Sequence, residues 1–384
     1  MKKLLFIIEN LGEGGAERVL SLLANELVHR DYSVDIALLQ TDAKVVYEVD
    51  KQVRLLRIGL PEPDISDRQI VIRTAKRLRF KKLLEYERRR TALRILDTSR
   101  TAPLRHLLSS GQYDAAISFL VKPNIALVRA ARGLPVKVII SERNYPLRDD
   151  YPLALTQIKK RSYGKRFDAC VAQTEEILRL LGKRAASRGV VIQNPINDSL
   201  PVSDCSERKH IVTNYCTFKP QKNLPLLINA FSVFSKEFPD YRLEIYGRGD
   251  RSALDKLILD LRLTDKVSIL PFDPDLHEKI KDYAMFVSAS DFEGISNSMI
   301  EAMAVGIPAI STDCDGGGAR AIISDHENGI LVPKNDIDRL VAAMKEIAGD
   351  PALSAKLSVN ARRIREQYSL NSIITKWIDL IETA

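Results

Sequence analysis

Short apolar runs alternate along this chain with segments whose apolar residues recur at the helical period. The first run, residues 4–8, precedes a helix-like segment at residues 16–29. Further runs of the first series lie at residues 34–39, 115–119, 137–141 and 169–173. Strands separated by helices indicate a parallel sheet with right-handed crossovers, so we predict an α/β fold.

The same alternation starts again near residue 190, after which a polar stretch leads to residue 208. Strand-like runs of the second series lie at residues 210–215, 242–246, 267–270, 284–289, 308–311 and 329–332. Helix-like segments lie at residues 224–238, 252–263, 297–305 and from 337 to the end. Because 384 residues are too many for one compact core, we predict two open α/β domains, residues 1–190 and 191–366. Small molecules are then expected beyond the carboxyl ends of the strands, in a cleft between two facing domains.

One motif predicts the chemistry of the second domain. Residues 292–308 read Phe-Glu-Gly-Ile-Ser-Asn-Ser-Met-Ile-Glu-Ala-Met-Ala-Val-Gly-Ile-Pro, with seven residues between Glu293 and Glu301. Gly294 and Ser296 allow a tight turn, after which the backbone N–H groups of residues 295–298 point out of a helix N-terminus. Such an end attracts phosphate, and flanking carboxylates accept hydrogen bonds from sugar hydroxyls, so the motif indicates a nucleotide-sugar site.

The same residues allow structural interpretations. Ser298 and Glu301 fit a capping box, which needs no ligand, and Glu293 fits a solvated loop. The turn at residues 12–15 has glycines that permit close approach to a phosphate, but it lacks the third glycine of a dinucleotide-binding loop. The three glycines at 316–318 fit either a close backbone approach or a flexible loop.

Charge is concentrated in one segment of the chain. The net charge is +8, and residues 68–105 hold thirteen Lys or Arg against three acids, a local net of +10. Because apolar residues recur at helical spacing among the basic ones, we expect the segment from Arg68 to Arg105 to bind an anionic membrane surface. A solvated helix face and a nucleic-acid contact are the alternatives; no nucleic-acid module is recognisable, and no nucleic-acid partner is expected.

Other features exclude several classes of protein. The first apolar run is shorter than a secretory signal core, and no run reaches the roughly 18 residues of a membrane span. The four cysteines and five histidines lack metal-ligand spacing, which predicts a reducing compartment and no bound metal.

Taken together, these features resemble the retaining glycosyltransferases of family 4, which have the GT-B architecture of two Rossmann-like domains. The similarity rests on five pieces in order: residues 14–18 (Gly-Gly-Ala-Glu-Arg), 220–223 (Pro-Gln-Lys-Asn), 293–301, 311–314 (Ser-Thr-Asp-Cys) and 328–329 (Asn-Gly). It also implies that the first domain binds the acceptor and that the second binds the nucleotide sugar. The last helix, residues 367–384, is then expected to cross back to the first domain. Trp377 is expected to be a packing anchor there rather than a platform for a sugar.

The resemblance assigns roles to individual residues. Gly14 and Gly15 approach the donor diphosphate, and Lys222 neutralises it. Glu293 holds hydroxyls of the transferred sugar, and Glu301 holds the nucleotide ribose. The amides of the intervening turn bind the diphosphate; the residues concerned are Gly294, Ile295, Ser296, Asn297 and Ser298. The leaving group is thereby stabilised without a metal, and no cofactor is expected because the nucleotide sugar is a substrate.

Two departures from the family pattern concern the site. Where the family commonly has Gly-Arg before the Gln-Lys-Asn motif, this chain has Cys216 and Thr217, with Lys219 as a possible substitute cation. Where related enzymes often carry a histidine that positions the sugar, this chain has Arg143, which binds phosphate or a hydroxyl but does not shuttle a proton at neutral pH. Thr217 and Arg143 are kept as donor-binding and catalytic candidates.

The expected function is transfer of a hexose or N-acetylhexosamine, with UDP as the expected nucleotide, to a lipid-linked glycan in bacterial surface polysaccharide assembly. The enzyme is expected in the cytoplasm, peripheral on the inner face of the plasma membrane. Two alternatives remain: a nucleotide-sugar epimerase of the same fold, and a non-catalytic partner of another glycosyltransferase.

Overall fold

The computed structural model describes residues 1–60, 90–147, 153–164, 167–204 and 207–384. The chain divides into two compact units. The first comprises Met1–Ile192 together with Ile374–Ala384, and the second comprises Gln193–Ile373.

The first unit contains a seven-stranded parallel sheet of order β3-β2-β1-β4-β5-β6-β7. Its strands are β1 Lys3–Ile8, β2 Ser33–Leu38, β3 Arg54–Arg57, β4 Ala115–Phe119, β5 Lys137–Ser141, β6 Ala169–Ala172 and β7 Gly189–Val191. The central strands are almost continuously buried, because helices cover both faces of a parallel sheet. The helices are Gly15–Val28, Ala102–Gly111, Val121–Ala130, Leu153–Tyr163, Glu175–Leu180 and Lys183–Ser187, and a π-helical turn spans Asp97–Thr101.

The last helix, Leu370–Thr383, contributes its residues from Ile374 onward to the first unit. Trp377 is fully buried, and its ring stacks on that of Phe119 with centroids 5.7 Å apart. The prediction that this tryptophan is a packing anchor is confirmed.

The second unit contains a six-stranded parallel sheet of order β10-β9-β8-β11-β12-β13. Its strands are β8 Lys209–Thr217, β9 Arg242–Arg248, β10 Val267–Pro271, β11 Tyr283–Ser288, β12 Ala309–Asp313 and β13 Ile330–Pro333. Its helices are Leu224–Glu237, Ser252–Asp260, Leu276–Ile280, Asn297–Val305, Ile337–Gly349, Pro351–Ala361 and Ile364–Gln367, with a 3-10 turn at Pro220–Lys222. The predicted α/β fold with two parallel sheets is confirmed.

The predicted basic segment is described only in part, since residues 68–89 lie outside the described ranges. In the remainder, Arg100 is buried against Glu9, and Arg105 donates to the carbonyls of Ala130 and Arg132. These two arginines therefore bond within the protein. Among the described residues, no helix combines the length and hydropathy needed to cross a membrane, and no cluster of His, Cys, Asp and Glu is arranged to hold a metal.

Candidate active site

The loop between β11 and the helix Asn297–Val305 is held by hydrogen bonds from two neighbouring segments. The Glu293 amide donates to the Asp315 carbonyl at 2.9 Å, and the Thr312 hydroxyl donates to the Ser290 carbonyl at 2.6 Å. On the other side, the Asp291 amide donates to the Gln221 carbonyl at 2.8 Å. The position of Glu293 is thus set by the carboxyl ends of strands β8, β11 and β12.

Glu293 forms an ion pair with Lys222, which lies in the 3-10 turn after β8. The side chains of the pair are 14% and 16% exposed, respectively. Ser290 and Gln221 also donate to the same carboxylate oxygen, at 3.2 and 3.4 Å. Four residues from two segments therefore meet here, and the interpretation of Glu293 as a solvated loop residue is wrong.

The protonation of Lys222 follows from this environment. Burial acts to lower the pKa of its amine, but the charge and hydrogen bond of Glu293 outweigh burial, so the pKa lies above the ordinary lysine value. The site therefore keeps an ammonium group throughout the neutral range, which suits an anionic ligand.

Glu301 lies on the following helix and contacts a residue that the sequence did not indicate. The carboxylate is 5% exposed, and one of its oxygens is 3.2 Å from Nε2 of His277. The Tyr215 ring packs edge-on against His277 at 5.5 Å, and its hydroxyl donates to the Ser298 carbonyl at 2.7 Å. Since the N-cap of this helix is Ser296, the capping-box interpretation of Ser298 and Glu301 is wrong. No local pattern predicts a contact across 24 residues of sequence.

The three glycines at 316–318 were expected to form either a close backbone approach or a flexible loop, and the structure shows a close approach to Gly294. A Cβ atom at Gly318 would overlap the carbonyl oxygen of Gly294. Gly316 and Gly317 have φ of 94° and 68°, the left-handed region that favours glycine. This glycine segment therefore supports the turn that carries Glu293.

The residues at the first departure lie beside the ion pair. Thr217 ends β8, and its carbonyl accepts from the Lys219 amide at 2.7 Å, whereas the Lys219 side chain is exposed. Burial raises the pKa of the thiols of Cys216 and Cys314 to about 12, so both remain protonated at neutral pH. A substitute role for Lys219 and donor binding by Thr217 stay predictions.

The other predicted site residues lie in the first unit. Gly14 is the N-cap of the helix Gly15–Val28, which follows β1. Arg143 is 6% exposed, donates to the Ile192 carbonyl at 2.9 Å and lies over the rings of Phe119 and Trp377. Burial lowers the pKa of its guanidinium to about 9. Its position is that of an interior residue; contact with a sugar stays a prediction, as does the approach of Gly14 and Gly15 to a diphosphate.

The second unit thus assembles a cation, a helix N-terminus and two carboxylates at the carboxyl edge of its sheet. Lys222 and the amides that begin the helix Asn297–Val305 favour an anion such as a diphosphate. Glu293 and Glu301 add carboxylate groups, which are acceptors of hydrogen bonds from hydroxyl groups. This combination matches the chemistry of a nucleotide sugar.

Comparison with known proteins finds similarity to glycosyltransferases. Residues 198–364 match the model of a family described as glycosyl transferases group 1. An uncharacterized glycosyltransferase of Haemophilus influenzae is 26% identical over 98% of this chain and 99% of the relative. The GalNAc-alpha-(1->4)-GalNAc-alpha-(1->3)-diNAcBac-PP-undecaprenol alpha-1,4-N-acetyl-D-galactosaminyltransferase of Campylobacter jejuni is 25% identical over 99% of this chain and 98% of the relative.

Among solved structures, a TarM variant of S. aureus, in complex with Fondaparinux, alpha-GlcNAc-glycerol and UDP, superposes with a TM-score of 0.74. The two proteins are 15% identical, and the match covers 100% of each chain. The fold is therefore GT-B, with two Rossmann-like α/β units, as predicted.

Proposed function

We propose that this protein is a group 1 glycosyltransferase that moves a hexose or N-acetylhexosamine from a UDP-sugar to a hydroxyl of a lipid-linked glycan. The observation that carries the proposal is the Lys222–Glu293 pair beside the N-terminus of the helix that also holds Glu301. A cation and a helix end suit the diphosphate, and two carboxylates suit the hydroxyls of the sugar and the ribose.

In the proposed reaction, the bond between the anomeric carbon and the diphosphate breaks, and the leaving diphosphate gains negative charge. Lys222 and the helix amides stabilise that charge, so the mechanism requires no metal. Glu293 holds hydroxyls of the transferred sugar, and Glu301, contacted by His277, holds the ribose. The departing diphosphate accepts the proton of the acceptor hydroxyl, whose oxygen forms the new bond to the anomeric carbon on the face that the diphosphate leaves, so the configuration is retained.

The donor and acceptor classes are supported by the similar proteins. UDP is the nucleotide in the TarM complex, and undecaprenol diphosphate is part of the acceptor in the name of the Campylobacter relative. A lipid-linked acceptor places the enzyme at a membrane surface, on the cytoplasmic side where nucleotide sugars are made. The basic segment 68–105 is the proposed contact with anionic lipid.

The test is a thermal-unfolding screen of the full chain against UDP, GDP, ADP and dTDP, then the matching nucleotide sugars. A ligand that binds only the folded protein, present at 100 times its dissociation constant, adds about 2.7 kcal/mol to the free energy of unfolding. We expect UDP to raise the midpoint temperature of unfolding, and Glu301→Ala to abolish this rise. Glu366 is an exposed glutamate of the same unit, so Glu366→Ala is the control and should leave the rise unchanged. A protein that responds to no nucleotide contradicts the proposal and favours a non-catalytic partner. With a donor in hand, NMR of the product reports whether configuration is retained.

A further inference from the structure

A polar cluster lies at the carboxyl ends of three adjacent strands of the first unit. Glu9 follows β1, Gln40 lies two residues beyond β2, and Lys122 lies three residues beyond β4. The side-chain amide of Asn10 donates to the side-chain oxygen of Gln40 at 2.8 Å, and this hydrogen bond joins the ends of the first two strands. Open parallel sheets bind their ligands at this edge.

Glu9 is the centre of the cluster. One of its oxygens accepts from Arg100 Nε at 2.6 Å; the other accepts from Arg100 Nη2 at 3.4 Å and lies 3.5 Å from Lys122 Nζ. The side chains of Glu9 and Arg100 are 13% and 8% exposed, whereas that of Lys122 is 49% exposed. Arg100 therefore supports the carboxylate from inside the protein, and Lys122 faces solvent beside it. Because a carboxylate offers about four acceptor positions, Glu9 retains capacity for an added donor.

Two unusual backbone features hold these side chains in place. Arg100 lies in the π-helical turn Asp97–Thr101, a rare conformation that is frequent at functional sites. Leu120, between β4 and Lys122, has φ of 75° and ψ of 163°, a region that is otherwise almost confined to glycine. Such strain persists where the surrounding structure fixes it, and it clusters at ligand sites.

We propose that Glu9, Lys122 and the Asn10–Gln40 amide pair form a subsite for hydroxyl groups of the acceptor glycan, with Arg100 as the residue that positions Glu9. The inference rests on the proposed function, since it assigns the second substrate of that reaction. Carboxylate, amide and ammonium groups together supply both donors and acceptors, as a hydroxyl requires.

The first experiment titrates the full chain, in the presence of UDP, with methyl α-glycosides of glucose, galactose, N-acetylglucosamine and N-acetylgalactosamine, followed by saturation-transfer NMR. We expect the parent to bind at least one glycoside and Lys122→Met to bind it about tenfold more weakly, as for a lost hydrogen bond to a charged group. Lys183→Met is the matched control, since Lys183 also lies in the first turn of a helix of this unit and is exposed. Equal affinity of the parent and Lys122→Met overturns the subsite.

A second variant, Glu9→Gln, keeps the shape of the side chain and removes its charge. We expect weaker glycoside binding with an unchanged UDP response, and unchanged glycoside affinity contradicts the proposal. If Glu9→Gln does not fold, Lys122→Met still decides, because Lys122 is half exposed.

The two proposals fail separately. A parent that responds to UDP but binds no glycoside overturns the subsite and leaves the donor site standing. If the parent protein binds a glycoside but no nucleotide, the proposed function is overturned. The comparison of glycoside affinity between the parent and Lys122→Met still tests the subsite in that case.

Discussion

Lys222 and Glu293 neutralise each other, which fixes both side chains before a donor arrives. In the proposed donor site, Lys222 shares one Glu293 oxygen with two further donors, Gln221 and Ser290, so the pair is held in place before a diphosphate binds. Preorganised charge of this kind is the usual source of large effects on turnover, because it needs no rearrangement at the moment of reaction.

Replacing Lys222 with methionine removes that charge at similar length. We expect turnover to fall by about 10²–10³, the loss typical of a removed electrostatic stabiliser, measured as kcat for sugar transfer. Lys256→Met, at an exposed helical position in the same unit, is the control and should keep the parental rate. A Lys222→Met enzyme that turns over like the parent is incompatible with the proposed role.

His277→Phe keeps an aromatic ring against Tyr215 but removes the contact between the imidazole nitrogen and Glu301. We expect UDP affinity to fall by about 1 kcal/mol, roughly fivefold, because one hydrogen bond that orients the carboxylate is lost. Isothermal titration with UDP measures the change. If the affinity of the variant equals that of the parent, His277 has no part in positioning Glu301.

Site residues that lie in local motifs were predictable from the sequence, whereas those that act through long-range contacts were not. Lys222, Glu293 and Glu301 lie in short motifs after predicted strands, so local pattern and resemblance predicted them. His277 contacts Glu301 across 24 residues of sequence, and Arg100 contacts Glu9 across 91. Contacts at such separations depend on the strand order and on a π-helical turn, neither of which periodicity reveals.

At the scale of elements, the glycine segment beside Gly294 has a consequence for stability. A methyl group at Gly318 would overlap a backbone carbonyl, which cannot rotate away as a side chain would. Gly318→Ala should therefore lower the unfolding midpoint by several degrees, about 1–3 kcal/mol, and weaken the response to UDP. Thermal unfolding with and without UDP measures both effects.

Gly349→Ala is the control for that substitution. Gly349 ends the helix Ile337–Gly349, and a Cβ atom there meets nothing within 4 Å. Alanine should leave both the midpoint and the UDP response unchanged or slightly raise the midpoint. If Gly318→Ala and Gly349→Ala have the same unfolding midpoint, the overlap at Gly318 is relieved without loss of stability.

His326 links the turn before β13 to the helix Ile337–Gly349. Its Nε2 is 2.8 Å from Glu346, and Nδ1 is 3.1 Å from Asp325; the hydrogen bond with Glu346 is the main reason that its pKa is raised. A raised pKa means that the folded protein binds the proton more tightly than the unfolded chain does. This stabilisation is complete below about pH 6.5 and is lost as the pH rises through the folded-state value.

We therefore expect the unfolding midpoint to decrease as the pH rises above about 6.5, and His326→Gln to remove that part of the dependence. Calorimetric or fluorescence melts at half-unit pH steps test this expectation. A variant whose pH profile coincides with that of the parent would assign the dependence to other groups.

The elements themselves were predictable where burial made the pattern strong. Strands such as Ala115–Phe119, which are buried throughout, appeared as short apolar runs with the correct bounds. The exposed edge strands Arg54–Arg57 and Gly189–Val191 were missed, because three or four partly solvated residues carry no period. The helical region after Ile337 is broken into separate helices at places such as Asp350, whose side chain caps the helix that Pro351 begins.

At the scale of the whole molecule, the uneven charge favours a membrane contact. The excess of +10 in residues 68–105 exceeds the net charge of the entire chain, so the rest is close to neutral. Since Arg100 and Arg105 bond within the protein, we expect a contact with anionic lipid to depend on the other basic residues of the segment.

Replacing six of the basic residues between 68 and 89 with glutamine should reduce binding to vesicles that contain anionic lipid. Each removed charge is worth about 1 kcal/mol near such a surface, and the effect should shrink as salt shortens the screening length. Cosedimentation with anionic and with neutral vesicles measures it. If the variant and the parent partition alike at low salt, this segment is not the membrane contact.

The first unit is discontinuous along the chain, because the residues around Trp377 return to it after the whole second unit. A ribosome therefore completes the 181 residues of the second unit, Gln193–Ile373, before it adds the segment Ile374–Ala384, whose Trp377 packs on Phe119 and Arg143. During that interval the nascent first unit exposes an apolar surface that its own late segment must cover. We therefore expect the first unit, although it begins first, to finish folding only after the last residues of the chain are made.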